Sequence, residues 1–149
     1  MNIYKSLNEI TEYIDKNLEE EIIYEVLAKM LGVNVYTMQR LFTMIAGISV
    51  SEYIRKRRLS SAGYDLYEGN LKVIDVAVKY QYDNATSFSR AFEKFHGIKP
   101  SLVNKETKLK NFPRIVFNED INLTTELDYE IINLDEMNLY GVSITTNND

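Results

Sequence analysis

Residues 34–48 (NVYTMQRLFTMIAGI) can be laid over residues 84–98 (NATSFSRAFEKFHGI), and this match constrains the chain more than any other feature. At an offset of 50, Asn34 meets Asn84, Arg40 meets Arg90, Phe42 meets Phe92, Gly47 meets Gly97 and Ile48 meets Ile98. Upstream, Leu27-Ala28 meets Val76-Ala77 at an offset of 49, so the second copy has a turn one residue longer. Self-similarity at a fixed spacing means one supersecondary unit built twice.

Hydrophobic spacing shows what the unit is. Ile3, Leu7, Ile10, Ile14 and Leu18 recur at three or four residues, the stripe of an amphipathic helix. The acidic run Glu19-Glu20-Glu21 suits the start of a second helix, where the macrodipole favours negative charge. That helix should bury Ile23, Val26, Leu27 and Met30 and stop at Gly32. Asn34 can cap a third helix over 35–46, ended by Gly47. Two short helices around a Gly-containing turn read as a helix-turn-helix unit, with Ala28 or Ala77 where they cross closely. Between the copies, Ser49 and Glu52 have capping-box spacing and open a connecting helix to about Tyr67. A short helix over 73–80 and another over 85–96 form the second unit, which Gly97 and Pro100 close.

In the first repeated helix, Met38, Leu41, Phe42 and Ile45 share the core face, leaving Tyr36, Gln39, Arg40 and Thr43 opposite. In the second, Phe88, Ala91, Phe92 and Phe95 face inward, and Thr86, Ser89, Arg90 and Glu93 face outward. Each outer face thus has one Arg among small or amide-bearing polar neighbours. That mixture suits a DNA major groove, where Arg binds guanine bidentately and Gln binds adenine. A plain solvent-facing helix carries the same residue types, so the register of the repeat is what favours groove reading. The connecting helix, about 18 residues, would span ~27 Å at 1.5 Å per residue. One duplex turn is ~34 Å, so a single chain could address two successive major grooves. The two helices differ in sequence, so the half-sites they read should be unlike.

Charge is distributed to match. The net charge is −5, yet residues 30–110 hold thirteen Lys or Arg against seven Asp or Glu, between two acidic ends. There is no Cys, and His96 is the single histidine, so thiol catalysis, His triads with a second base and multi-histidine metal sites are excluded. No catalytic residues, metal or cofactor are expected, and the chain reads as a non-enzyme. No membrane segment or signal-peptide h-region is visible, so a cytoplasmic location is expected. The basic run Arg55-Lys56-Arg57-Arg58 lies on the connecting helix, where its members point different ways and should mostly be solvated or paired. His96 reads as a packing or capping residue, and Tyr80 and Tyr82 as core.

These residues resemble the AraC/XylS family of bacterial transcription regulators over roughly residues 3–104. The strongest segment runs from Val76-Ala77 through Phe88-Ser89-Arg90-Ala91-Phe92 to Gly97 and Pro100. Arg40-Leu41-Phe42 with Gly47, and Glu52-Tyr53-Ile54 with Arg58-Leu59 and Ala62, add to it. The resemblance implies seven helices, all-α over 1–110, in two helix-turn-helix units. It also implies DNA contacts at Tyr36, Thr37, Gln39 and Arg40 in the first unit and at Ala85, Thr86, Ser87 and Arg90 in the second. Double-stranded DNA and RNA polymerase are the implied partners, with an activator's role. One departure matters: where the family usually has Gly before an aromatic in the second turn, this chain has Gln81-Tyr82. If φ is positive there, Gln incurs about 1 kcal/mol of strain.

Beyond residue 110 the helical period stops. Residues 111–149 hold eight acids against one Arg, and 115–117, 129–132 and 139–144 have strand composition, with Gly141 as a bend. Two or three such strands cannot form an independent core. The segment is expected to begin a second domain whose remainder lies beyond residue 149; a tail that simply covers the helices is the alternative. Leu127-Asp128-Tyr129-Glu130-Ile131 followed by Leu139-Tyr140-Gly141-Val142 is similar to the opening of GyrI-like effector-binding domains in Rob-like regulators, which implies a small-molecule effector. The rival to a DNA-binding regulator is a protein-interaction or effector-binding module without sequence-specific DNA binding.

Overall fold

The computed structural model describes residues 2–118 and the strand at 130–132. Six α-helices follow in order: α1 (Ile3–Lys16), α2 (Tyr24–Leu31), α3 (Val35–Ala46), α4 (Val50–Glu68), α5 (Val73–Lys79) and α6 (Ala85–His96). The expected seventh helix is a single 3₁₀ turn, Pro100–Leu102, begun by the proline. β1 (Leu109–Asn111) and β2 (Glu130–Ile132) then pair antiparallel, Leu109 opposite Ile132 and Asn111 opposite Glu130. The strand-like run at 139–144, the bend at Gly141 and most of the GyrI-like similarity lie outside the described residues.

α3 and α6 end where the sequence says they should, whereas α1 stops at Lys16 and Leu18 is buried from the turn that follows. Asn34 and Asn84 cap α3 and α6, their side chains accepting from Thr37 N and Ser87 N at 2.8 Å in both units. Gly32, Gly47, Gly69 and Gly97 occupy left-handed positions at the helix C-termini. One core runs through both units, with Leu7, Ile10, Leu27, Met38, Phe42, Tyr53, Ala77, Phe88 and Phe92 fully or almost fully buried. Ala28 and Ala77 are both buried in the first helix of their units, as close helix crossing requires.

Several local expectations are corrected. Ile23 is the N-cap of α2 and stays 50% exposed because the helix starts only at Tyr24; Leu27, Ala28 and Leu31 form its buried face, and Val26 and Met30 are half-buried. The Glu19–Glu21 run lies in the α1–α2 turn, and the acid in the first turn of α2 is Glu25. Leu41, Ile45 and Ala91 sit at the edge of the core, half-buried. Ser49 does cap α4, accepting from Glu52 N at 3.1 Å, but the Glu52 carboxylate turns to Arg55. A guanidinium three residues away on the same face outcompetes the helix start for that carboxylate.

The chain after α6 returns across the helices. Phe112, Ile115 and Phe117 are at most 3% exposed while Val116 is 43% exposed, so strand-like alternation is real. The residues at 115–117 nevertheless form no strand, because their backbone partners are side chains. Asn8 on α1 accepts from Phe117 N at 2.6 Å and donates to Phe117 O at 2.7 Å, as a neighbouring strand would. Thr11 donates to Ile115 O, Ser60 accepts from Phe112 N, and Arg57 donates to Phe112 O. Residue 110, the division expected from the sequence, therefore falls inside β1, and the apolar residues just beyond it belong to the helical core.

Candidate nucleic-acid interface

The N-capped turns of α3 and α6 carry the eight residues singled out by the sequence. On α3, Tyr36 is 67% exposed, Gln39 and Arg40 are exposed, and Thr37 is half-buried beside the cap. On α6, Thr86, Ser87 and Arg90 are exposed, and Ala85 is half-buried. The buried faces are Met38 and Phe42 in one helix, Phe88, Phe92 and Phe95 in the other. Each helix is thus held from behind by large apolar side chains, and its first two turns are open to a ligand.

Arg40 is pre-arranged on its own helix. Its guanidinium lies 5.6 Å from the centre of the Tyr36 ring, and Nη1 donates to the Tyr36 hydroxyl at 3.4 Å. Stacking over a tyrosine restricts the side chain while leaving the guanidinium edge able to donate two parallel hydrogen bonds. Neither Arg40 nor Arg90 has an acidic partner among the described residues. One neighbour escaped the sequence reading: Met44, one turn beyond Arg40, is 63% exposed. At about 100° per residue it lies between the core face and the outer face of α3, and in the structure it is open to solvent.

The contrast with the basic run on α4 is sharp. Arg55 binds Glu52, and Lys56 lies over the Phe112 ring at 5.2 Å. Arg57 binds Asp15 at 2.9 Å. Arg58 donates to the carbonyls of Leu18 and Glu20 at 2.9 and 2.8 Å. These charges tie α4 to α1, to the α1–α2 turn and to the returning chain. Burial raises the Asp15 carboxyl above its ordinary range despite Arg57, and burial lowers the Arg58 guanidinium. His96 is 6% exposed, with Nε2 2.8 Å from Leu59 O and Nδ1 accepting from Lys110 N at 3.1 Å. It is a packing residue, as its sequence position suggested.

With this geometry in place, a family model described as a helix-turn-helix domain matches residues 27–106, more than half of the chain. The transcriptional activator AarP of Providencia stuartii is 40% identical over 96 residues, covering 64% of this chain and 71% of that protein. This chain belongs to the AraC family. The AraC-type assignment extends to solved structures, among them a regulator domain from Chromobacterium violaceum at TM-score 0.60, 23% identical, covering 65% of this chain and 87% of that one. The DNA-binding domain of AdpA, solved with a target DNA, superposes at TM-score 0.59, 21% identical, covering 64% and 86%. The transcriptional regulator Rob of Salmonella typhimurium is 24% identical over 140 residues, or 92% of this AraC-type chain, which spans 47% of Rob. Among the described residues, no helix is long and apolar enough to cross a membrane.

Proposed function

We propose that this chain is a sequence-specific, double-stranded-DNA-binding transcription regulator that reads two unlike half-sites with α3 and α6. The observation that carries this reading is the pairing of exposed Arg40 and Arg90, without acidic partners, at the same register of two identically capped helices. Membership of the AraC family, with relatives named as transcriptional activators, supports an activator's role. The 19 residues of α4 give a strut of ~28 Å, close to the ~34 Å of a duplex turn. Arg40 and Arg90 contact base edges or phosphate, and Tyr36, Thr37, Gln39, Ala85, Thr86 and Ser87 supply discrimination. RNA polymerase is the protein partner of such a regulator, which works in the cytoplasm and is not an enzyme. Similarity to Rob beyond the helical part supports reading the acidic C-terminal stretch as the opening of an effector-binding unit.

Gel-shift titration against a site selected from random duplexes tests the assignment. Arg40→Ala and Arg90→Ala should each lose ~1–3 kcal/mol, and affinity of the unsubstituted chain should fall steeply with salt through counterion release. Full affinity in both variants sinks the reading. A salt-insensitive complex with a protein favours the interaction-module alternative.

A further inference from the structure

Gln81 is the non-glycine residue with positive φ among the described residues, at 69°. At the offset of 49 that relates the two turns, its counterpart is Gly32, with φ 71°. The backbone around the two is nearly the same: Gly32 N donates to Lys29 O and Gln81 N to Val78 O, both at 3.1 Å. The next residues repeat the likeness, Val33 N donating to Ala28 O and Tyr82 N to Ala77 O. A glycine would therefore suit the second turn as it suits the first, and a side chain there is conformationally disfavoured. The side chain must act elsewhere.

It acts across the two units. Gln81 Nε2 donates to Glu19 O at 2.7 Å, in the turn between α1 and α2 of the first unit. That turn presents three successive carbonyls, and all three are taken: Leu18 O and Glu20 O by Arg58, Glu19 O by Gln81. Lys79, two residues before Gln81, adds a 3.4 Å ion pair to the Glu19 carboxylate and a 2.8 Å pair to Asp65 on α4. Arg58 fixes the turn to α4, and Gln81 with Lys79 fixes the second unit to the turn. The shared core and α4 already join the two units, and this polar closure braces the second unit against the α1–α2 turn of the first.

We infer that Gln81 is a spacing-determining residue: its amide helps clamp the second unit to the first and narrows the range of separations at which α3 and α6 accept half-sites. The inference rests on the proposed reading of two half-sites and adds a residue that touches no DNA. Its effect is on stringency rather than on base preference.

The test uses the full chain and the duplex selected by it, with variants of that duplex carrying one inserted or one deleted base pair between the half-sites. Q81G keeps a residue suited to positive φ and removes the amide; Q81M keeps the length and removes the donor. The unsubstituted chain should lose about tenfold or more in affinity on the respaced duplexes, the size of a mismatch-scale penalty. Both variants should bind the original duplex within about threefold of the unsubstituted chain and show a respacing penalty at least about threefold smaller than its own. Retention of the full respacing penalty by Q81G overturns the clamp, whatever Q81M does. Indifference of the unsubstituted chain to respacing overturns the two-half-site reading itself, which separates the two failures.

Discussion

Acidification from the range in which free imidazole titrates down towards pH 4 should remove stability from the second unit, with His96 setting the size of the loss. Its ring lies between Phe92 and Phe95, at centroid distances of 4.3 and 4.6 Å, and is closed over by Gly63. A peptide N–H can only donate, so the Lys110 contact at 3.1 Å requires Nδ1 to be unprotonated, and Nε2 then donates to Leu59 O. Protonation would bury a charge and set a proton on Nδ1 against the Lys110 N–H. Burial accordingly pushes His96 down from 6.5 to about 4, with the nearby Lys110 charge adding to it. Because the folded value is the lower one, the unfolded chain takes up the proton first. The stability is whole above pH 6.5, declines as pH falls towards 4, and levels off below. Linkage gives about 2 kcal/mol lost at pH 5 and ~3 kcal/mol in all. Urea unfolding at several pH values between 7.5 and 5 measures it, with His96→Gln as the reference, since Gln offers one donor and one acceptor but does not titrate. Carboxylates act alike in both proteins, so the difference between them isolates the imidazole. The stability advantage of the unsubstituted chain should shrink by about 2 kcal/mol over that interval. Parallel curves would refute the buried neutral imidazole.

Other perturbations test other links. Phe117 is 3% exposed and meets Phe42 edge-on at 6.0 Å, so Phe117→Ala should cost ~3–5 kcal/mol in denaturant titration. A loss below about 1 kcal/mol would mean that the returning chain is not part of the core. Gly63 has no room for a methyl group: a Cβ would stand 2.9 Å from His96 Cε1 and 3.2 Å from Leu109 Cδ1. Gly63→Ala should therefore destabilise by ~1–3 kcal/mol despite the better helix propensity of alanine, and a raised melting temperature would contradict the packing around His96.

Much of the fold and of the site is legible in the residues because both depend on local rules. The capping asparagines Asn34 and Asn84 and the stop glycines Gly47 and Gly97 delimit α3 and α6 through backbone chemistry within one turn. Helical periodicity then sorts Arg40 and Arg90 from Phe42 and Phe92 without reference to the rest of the chain. Gln81 was visible as a departure from glycine, and its positive φ follows from the repeat; its partner, 62 residues away, was not. Ile23 misled the reading because α2 begins only after it, and Met44 escaped because it lies between the core face and the outer face of α3.

The sequence by itself determined two copies of a capped helix-turn-helix, the strut between them and the outward arginines, since each follows from spacing within a few turns of chain. Tertiary structure alone decided which basic residues are already engaged. Arg57 meets an aspartate 42 positions earlier, and Arg58 meets carbonyls about 40 positions earlier. It also decided that the strand-like run at 115–117 is completed by the side chains of Asn8 and Thr11 rather than by another strand. Such pairings depend on how packed helices bring distant groups within hydrogen-bond reach, and neither periodicity nor composition encodes that distance.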